Sequence, residues 1–497
     1  MISNTKFIFL FIFILSIGLN AQTVKWSQQI VDSKKVPYML ILGENTSENF
    51  FVLRSNISLG NEKENSGFRN RTYFLQYYSH EMSLLWDKEL KTSYEDGHIS
   101  DVTLINGNVY VTSYITDKKS KQYYFYTQII GSDAKWQGQP LLLDSFATEY
   151  IDDENKPGLL SSRDQSLMVF SYRMISKDKK SQYFRAVLLD TNQIIKYKKE
   201  IEIPVSTQLF QPLDFLLTNQ GSFFILGIRY TTEKKIKAPD QSFYELYGYN
   251  QVVDKIVNTT IKSDNKFLTD VGVVVDNLNH SIVVAGFYSD KTLYSTAGVF
   301  YYALTEDSLH ETRTINTPFN TEYLQKFVGE RKENKELVNF TIKRLIVRRD
   351  GGVAIVAESI YQTARSYFDY YMQTYISHYY YHYGNIMVLS VNPDGQILWN
   401  NVISKDQNSI DDGGFFSGFH LSITDGKLVS VYNKYIDDNS SVLISFVDPS
   451  GKQKTDVLFN EVERVSVITQ SAKQIDDDTV LMPAYRQNKL YIGKISF

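Results

Sequence analysis

The chain has 497 residues, with 52 Lys+Arg against 56 Asp+Glu for a formal net charge of −4, and no cysteine. A balance so close to neutral excludes a protein that coats nucleic acid non-specifically, and the missing thiols exclude disulfides, thiolate zinc sites and cysteine nucleophiles. Hydrophobic residues at 43%, with 36 Tyr and 30 Phe against 10 Pro, point to a well-packed chain of strands, because aromatic side chains suit a half-buried pleated surface.

Residues 1–21 read as an export signal. Lys6 precedes the apolar run Phe7–Leu19, and Asn20-Ala21 closes it with a small residue at the expected cleavage point. The run is too short for a bilayer span, which needs about 20 residues. The mature protein, 22–497, is therefore expected to be exported, with no transmembrane segment after cleavage.

Past the signal a weak unit repeats. Short apolar strands behind polar turns start at Phe50, Val109, Leu167, Phe223, Ile282, Val353, Leu428 and Val480, at intervals of 59, 58, 56, 59, 71, 75 and 52 residues. Strands of about five residues at such a period predict propeller blades rather than a helical solenoid. The two long intervals hold insertions, one charged (321–338) and one rich in tyrosine (358–384). Trp26, Trp86, Trp136 and Trp399 each fall on the expected outer strand of a unit. The turns Asn392-Pro-Asp-Gly395 and Asp448-Pro-Ser-Gly451 precede such strands, with glycine supplying the positive φ.

Trp26 has no inner strands ahead of it, whereas the C-terminus offers three strands, Val465–Ile468, Val480–Ala484 and Leu490–Ile495, and then ends. Pairing the N-terminal strand onto these three predicts an all-β, single eight-bladed β-propeller closed on itself, which removes the exposed sheet edge. Seven blades with a loose N-terminal strand is the alternative count.

In a four-stranded blade, the loop from second to third strand and the loop to the next blade emerge on one face. Both insertions belong there, as do the lysine pairs Lys118-Lys119, Lys179-Lys180 and Lys234-Lys235. This rim is the expected partner-binding face. Its most unusual part carries Tyr361, Tyr367, Phe368, Tyr370, Tyr371, Tyr375, Tyr379, Tyr380 and Tyr381, which supply stiff amphipathic area suited to protein recognition or sugar stacking. Solvation of tight turns also explains the lysines, and an extended hairpin also explains the tyrosines.

His378 and His382 are four apart, with Asp369 the nearest upstream carboxylate, and are read as solvent-facing rather than as metal ligands. Asp152-Asp153 and Asp476-Asp-Asp478 lack the alternating oxygens of a calcium loop. No metal or cofactor is expected. Gly-x-Ser-x-Gly, His-Glu-x-x-His and Gly-x-x-x-x-Gly-Lys strings are absent, although carboxylates from distant blades can still meet in a channel.

The stretch Tyr383–Trp399 with Asp411-Asp-Gly-Gly-Phe-Phe-Ser417 resembles a family of exported bacterial propeller proteins, which implies a Gram-negative cell envelope and no particular activity. Asp394-Gly-Gln-Ile-Leu-Trp399 is also similar to the repeat of quinoprotein-like propellers, but the motif is complete once, so a quinone does not follow. A looser resemblance, resting on no particular residues, is to propeller-like accessory subunits of the type nine secretion translocon. Together these lead to a non-catalytic interaction module that holds a protein partner in the periplasm or at the outer membrane. The alternative is a carbohydrate-binding or carbohydrate-active propeller.

Overall fold

The computed structural model describes residues 22–31, 38–56, 72–147, 157–234, 236–328, 336–437 and 440–497. The leader 1–21, Asp152-Asp153, Lys235 and residues 329–335 of the charged insertion lie outside the described residues.

Strands dominate, and they group into four-stranded antiparallel meanders, each followed in sequence by the next. Among the described residues there are eight such sheets, numbered here in chain order, two of which gain an extra short strand, and one separate two-stranded pair. Their first strands are Tyr38–Glu44, His98–Ile105, Gly158–Ser161, Phe210–Leu217, Phe267–Asp276, Phe340–Val347, His420–Thr424 and Val465–Val467. The eight apolar segments read from the sequence are the second strands. They are the most buried because they are flanked within the sheet and covered on both faces. Trp86, Trp136 and Trp399 stand on fourth strands. The N-terminal strand Thr23–Trp26 pairs antiparallel with Lys489–Ser496, with Trp26 opposite Gly493, and becomes the fourth strand of sheet 8.

An apolar layer lies between each sheet and the next. Leu53 and Leu75 of sheet 1 meet Val109 and Val111 of sheet 2, and Phe125 of sheet 2 meets Phe170 of sheet 3. The same arrangement joins Ile201 to Ile225, Leu246 to Val284, Val299 to Ile355, Val388 to Tyr432, and Val431 to Met482. Phe50 and Val52 of sheet 1 in turn share a cluster with Leu481 and Ile492 of sheet 8. The first strands of sheets 1 to 6 touch in succession, and that of sheet 1 also touches Lys473–Gln474, the extra short strand of sheet 8. This is a propeller-like architecture, all-β apart from short helical turns and one helix, Thr321–Val328. Among the described residues no helix is long and apolar enough to cross a membrane.

The tryptophans explain how neighbouring sheets lock at their outer edge. Trp399 Nε1 donates to Pro449 O at 2.9 Å, and a Cβ on Gly451 would come within 2.8 Å of the indole. Gly451, at φ 85°, thus serves both the turn and the ring that lies on it. Trp86 Nε1 reaches Ser132 O across the junction of sheets 1 and 2 in the same way, at 2.7 Å.

Candidate functional site

The long second and third strands of sheet 6, Val353–Asp369 and Thr374–Val391, carry the tyrosine insertion as a two-stranded ribbon that extends beyond the sheet. Tyr371, at its tip, is 101% exposed, and Tyr361, Tyr367, Tyr370, Tyr375 and Tyr379 are also exposed, whereas Phe368, Tyr380 and Tyr381 are partly covered. Tyr361 stacks on His382 at 4.3 Å and Tyr367 on His378 at 5.7 Å, so part of the aromatic area is spent within the ribbon. His378 Nδ1 lies 2.5 Å from Asp411 Oδ2, and His382 Nδ1 2.5 Å from Asn408 Oδ1. The sequence reading looked upstream to Asp369 for an acid and missed Asp411, which comes from a loop brought back against the ribbon. Among the described residues no group of three or more His, Asp or Glu is placed to hold a metal.

Lys118, Lys119, Lys179, Lys180 and Lys234 occupy second-to-third-strand turns of sheets 2, 3 and 4. Their backbone N–H groups are tied to short polar side chains: Lys119 N donates to Asp117 Oδ1, Lys180 N to Asp178 Oδ1 and Lys234 N to Thr232 Oγ1. That is turn chemistry, with the ammonium groups left to water.

The loop from sheet 6 to sheet 7 does more than connect them. Residues Gln407–Ile410 pair with Tyr380–Tyr383 of the ribbon, and the loop then folds Phe415 and Phe416 toward Tyr485 of sheet 8. Its anchor is Lys405, whose side chain is fully buried beside the equally buried Glu358, 2.7 Å away, and whose Nζ also donates to Tyr383 O and Gln407 Oε1. Burial pulls the Lys405 ammonium below its ordinary pKa, and Glu358 opposes that pull. Gln407 Oε1 accepts from Gly418 N at 2.8 Å, and Asn433 Nδ2 donates to Phe416 O and Val467 O.

These bonds hold open a cleft of 520 Å³ between sheets 7 and 8. Phe415, Phe416, Tyr435 and Tyr485 provide its aromatic surfaces, and Arg464, Asn433, Asn488 and Asp437 its polar ones. Arg464 holds a left-handed conformation, φ 50°, as the C-cap of the turn Glu461–Glu463, which an Asn460–Glu463 capping box fixes. The sequence reading singled out none of the cleft residues as a site. Phe415 and Phe416 come from the loop that enters sheet 7, and the other lining residues from separate loops and strand ends of sheets 7 and 8 that share no local motif.

A second polar region lines the first strands. Sheets 1, 2, 4, 5 and 6 each carry a bulge there, followed by Gly43, Asp101, Asp214, Asp270 and Arg344. Asp101 Oδ2 accepts from Leu159 N of the next sheet at 3.2 Å, and Asp270 Oδ2 from Ile342 N at 2.6 Å. The repetition marks these carboxylates as stitches between neighbours. Burial raises the Asp270 pKa to about 6, the two backbone N–H groups and Lys343 only partly opposing it.

No protein-family model and no curated protein matches the chain. Solved structures that are similar include an acylaminoacyl peptidase from Pyrococcus horikoshii (9% identity, TM-score 0.35), over 93% of this chain and 59% of that one. An oligogalacturonate lyase in complex with manganese matches over 81% of this chain and 96% of its own, at 10% identity and TM-score 0.35. The α-L-arabinofuranosidase Arb93A from Fusarium graminearum matches over 68% and 92%, at 8% identity and TM-score 0.30. The chain thus spans little more than half of the peptidase. These likenesses concern the fold alone, and no family model supports the quinoprotein-like or translocon resemblance.

The expectation of a non-catalytic interaction module is corrected here. The solved structures that resemble the chain are, by their names, a peptidase, a lyase and an arabinofuranosidase. The physical reason is general: loops gathered on a rigid ring serve chemistry as readily as docking, so architecture does not select the latter.

Proposed function

We propose that the chain is an eight-bladed propeller, closed by Thr23–Trp26 on the last sheet, and that it is a carbohydrate-active protein that takes an oligosaccharide on one face. The pairing of Trp26 with Gly493 and the shared layer of sheets 8 and 1 support the closure. The observation that carries the sugar reading is the cleft between sheets 7 and 8. Aromatic faces stack on the C–H faces of sugar rings, and planar amides and a guanidinium suit hydroxyl pairs, which is the composition found around Tyr435, Tyr485, Arg464, Asn433 and Asn488. The cleft is formed by loops of the kind that emerge beside the tyrosine ribbon, so Tyr361, Tyr367 and Tyr379 extend the contact surface for a longer chain. The leader 1–21 supports an exported protein of the cell envelope, where such polymers lie.

The test is a panel of soluble neutral oligosaccharides read by melting midpoint, with product analysis of each mixture for cleavage. At least one should raise the midpoint, and Tyr435→Ala with Arg464→Ala should weaken its binding tenfold or more. A panel without any stabilising sugar, or variants that bind as tightly as the parent, would overturn the reading.

A further inference from the structure

The cleft between sheets 7 and 8 has an electrostatic sign as well as aromatic surfaces. Arg464 lines it, and Lys434 Nζ stands 5.2 Å from the ring centroid of Tyr435, which also lines it. Against these two cations the lining carries a single acid, Asp437. The chain as a whole is acidic, with a formal charge of −4, so this local excess of positive charge departs from the average surface.

The main chain holds Arg464 where an arginine is costly. Its φ of 50° lies in the left-handed region, which glycine enters freely and other residues enter against a clash of Cβ with the backbone. Arg464 N donates to Glu461 O at 3.3 Å, and Arg464 O accepts from Gln487 N at 3.0 Å. Gln487 (φ 51°) and Asn488 (φ 63°), on the turn between the second and third strands of sheet 8, are left-handed as well. Strain of this kind persists where a side chain has a use that glycine could not serve. The Arg464 guanidinium has no structural use: among the described residues it makes no ion pair, hydrogen bond or ring contact, although Glu461 and Glu463 precede it within three positions. A cation pinned through both its N–H and its C=O beside an aromatic cleft is placed in advance for a ligand.

We propose that the cleft prefers an acidic sugar, a hexuronate chain, and that Arg464 sets this preference by taking the C6 carboxylate; the inference rests on the sugar reading above and names the class of sugar. A planar carboxylate fits a guanidinium through two parallel N–H···O bonds, whereas the hydroxymethyl group at the same carbon of a neutral hexose offers one uncharged oxygen. Lys434 adds attraction that needs no contact. Tyr435, Tyr485, Phe415 and Phe416 meet the C–H faces of either sugar alike, so they supply affinity without choosing. Arg464 is a specificity-determining residue, with no part in bond cleavage.

The experiment is calorimetric titration of the full mature chain with pairs of tetrasaccharides that share a linkage and differ only at C6. The pairs are tetraglucose with tetraglucuronate, tetramannose with tetramannuronate and tetragalactose with tetragalacturonate, all at equal ionic strength. In at least one pair the acidic member should bind about tenfold or more tighter than the neutral one. Arg464→Gly should abolish that preference and leave neutral binding near that of the parent. Because glycine suits a φ of 50°, the melting midpoint of this variant without ligand should equal or exceed the parent's. Arg464→Lys, which keeps the charge but loses the fork of donors, should retain part of the preference. Neutral members that bind as tightly as the acidic ones, or an Arg464→Gly variant that still prefers the acid, overturn the inference and leave the sugar reading standing. A lowered midpoint in Arg464→Gly overturns it too, since Arg464 then serves the fold. No binding by any member of any pair removes the sugar reading together with this inference.

Discussion

Lys405 is the clearest case of a residue whose partner decides its effect. Its ammonium is sealed from water and faces the Glu358 carboxylate at 2.7 Å. Removing one member of a buried pair leaves an uncompensated charge and costs about 3–5 kcal/mol, whereas replacing both with apolar groups is often neutral. Lys405→Met should therefore lower unfolding free energy by about 3 kcal/mol or more, and Lys405→Met/Glu358→Leu should recover most of it, as denaturant titration of both variants would show. Asp270 works in the opposite sense, because burial raises its pKa to about 6 from the ordinary 3.8. The folded chain holds that proton more tightly than the unfolded one, so the contribution is complete below 3.8 and is lost as pH climbs through 6. Above 6 the ionised carboxylate is a standing cost. Asp270→Asn keeps an oxygen for Ile342 N and should stabilise the protein at pH 8 by about 1–3 kcal/mol while changing little at pH 4, measured as melting midpoints across that range.

At the scale of elements, the ribbon of sheet 6 divides at His378. Below that point it is held by Gln407–Ile410 and by Asp411, which accepts from Tyr379 N. Above it the two strands pair only with each other. Replacing Ser366–Ser377 by an Asn-Gly turn should leave the melting midpoint within a few degrees of the parent, whereas cutting back to Glu358 should lower it markedly by stripping the pairing of Gln407–Ile410. The second strands and tryptophan strands were legible in the sequence for a physical reason. A doubly covered strand reads as a short unbroken apolar run, and Asp448-Pro-Ser-Gly451 announces its own turn chemistry. The cleft between sheets 7 and 8 and the bulged first strands were not legible. Tyr435, Arg464 and Tyr485 are brought together only by packing sheet 7 on sheet 8, and Arg344 follows a bulge that no residue in Thr341-Ile-Lys-Arg344 signals. Tyrosine density drew attention to the ribbon, while the neighbouring Phe415-Phe416 pair, which lines the cleft, looked ordinary.

The whole molecule depends on how its ends meet. If Thr23–Trp26 completes sheet 8, all loops of one kind share a face, and the cleft, the ribbon and the channel mouth belong to a single working surface. Trp26 contributes through its ring, which packs on Phe459 at 5.5 Å and covers Gly493. The chain has no cysteine, so a cross-link placed there reports without interference. Lys25 and Lys494 face one another in the register of this strand pair. The measurement that tests the closure most directly is intramolecular disulfide formation in Lys25→Cys/Lys494→Cys under mild oxidation, followed by the melting midpoint. Closure predicts a monomeric, fully oxidised species that melts several degrees above its reduced form. Thiols that stay reduced, or that join only between molecules, would contradict it.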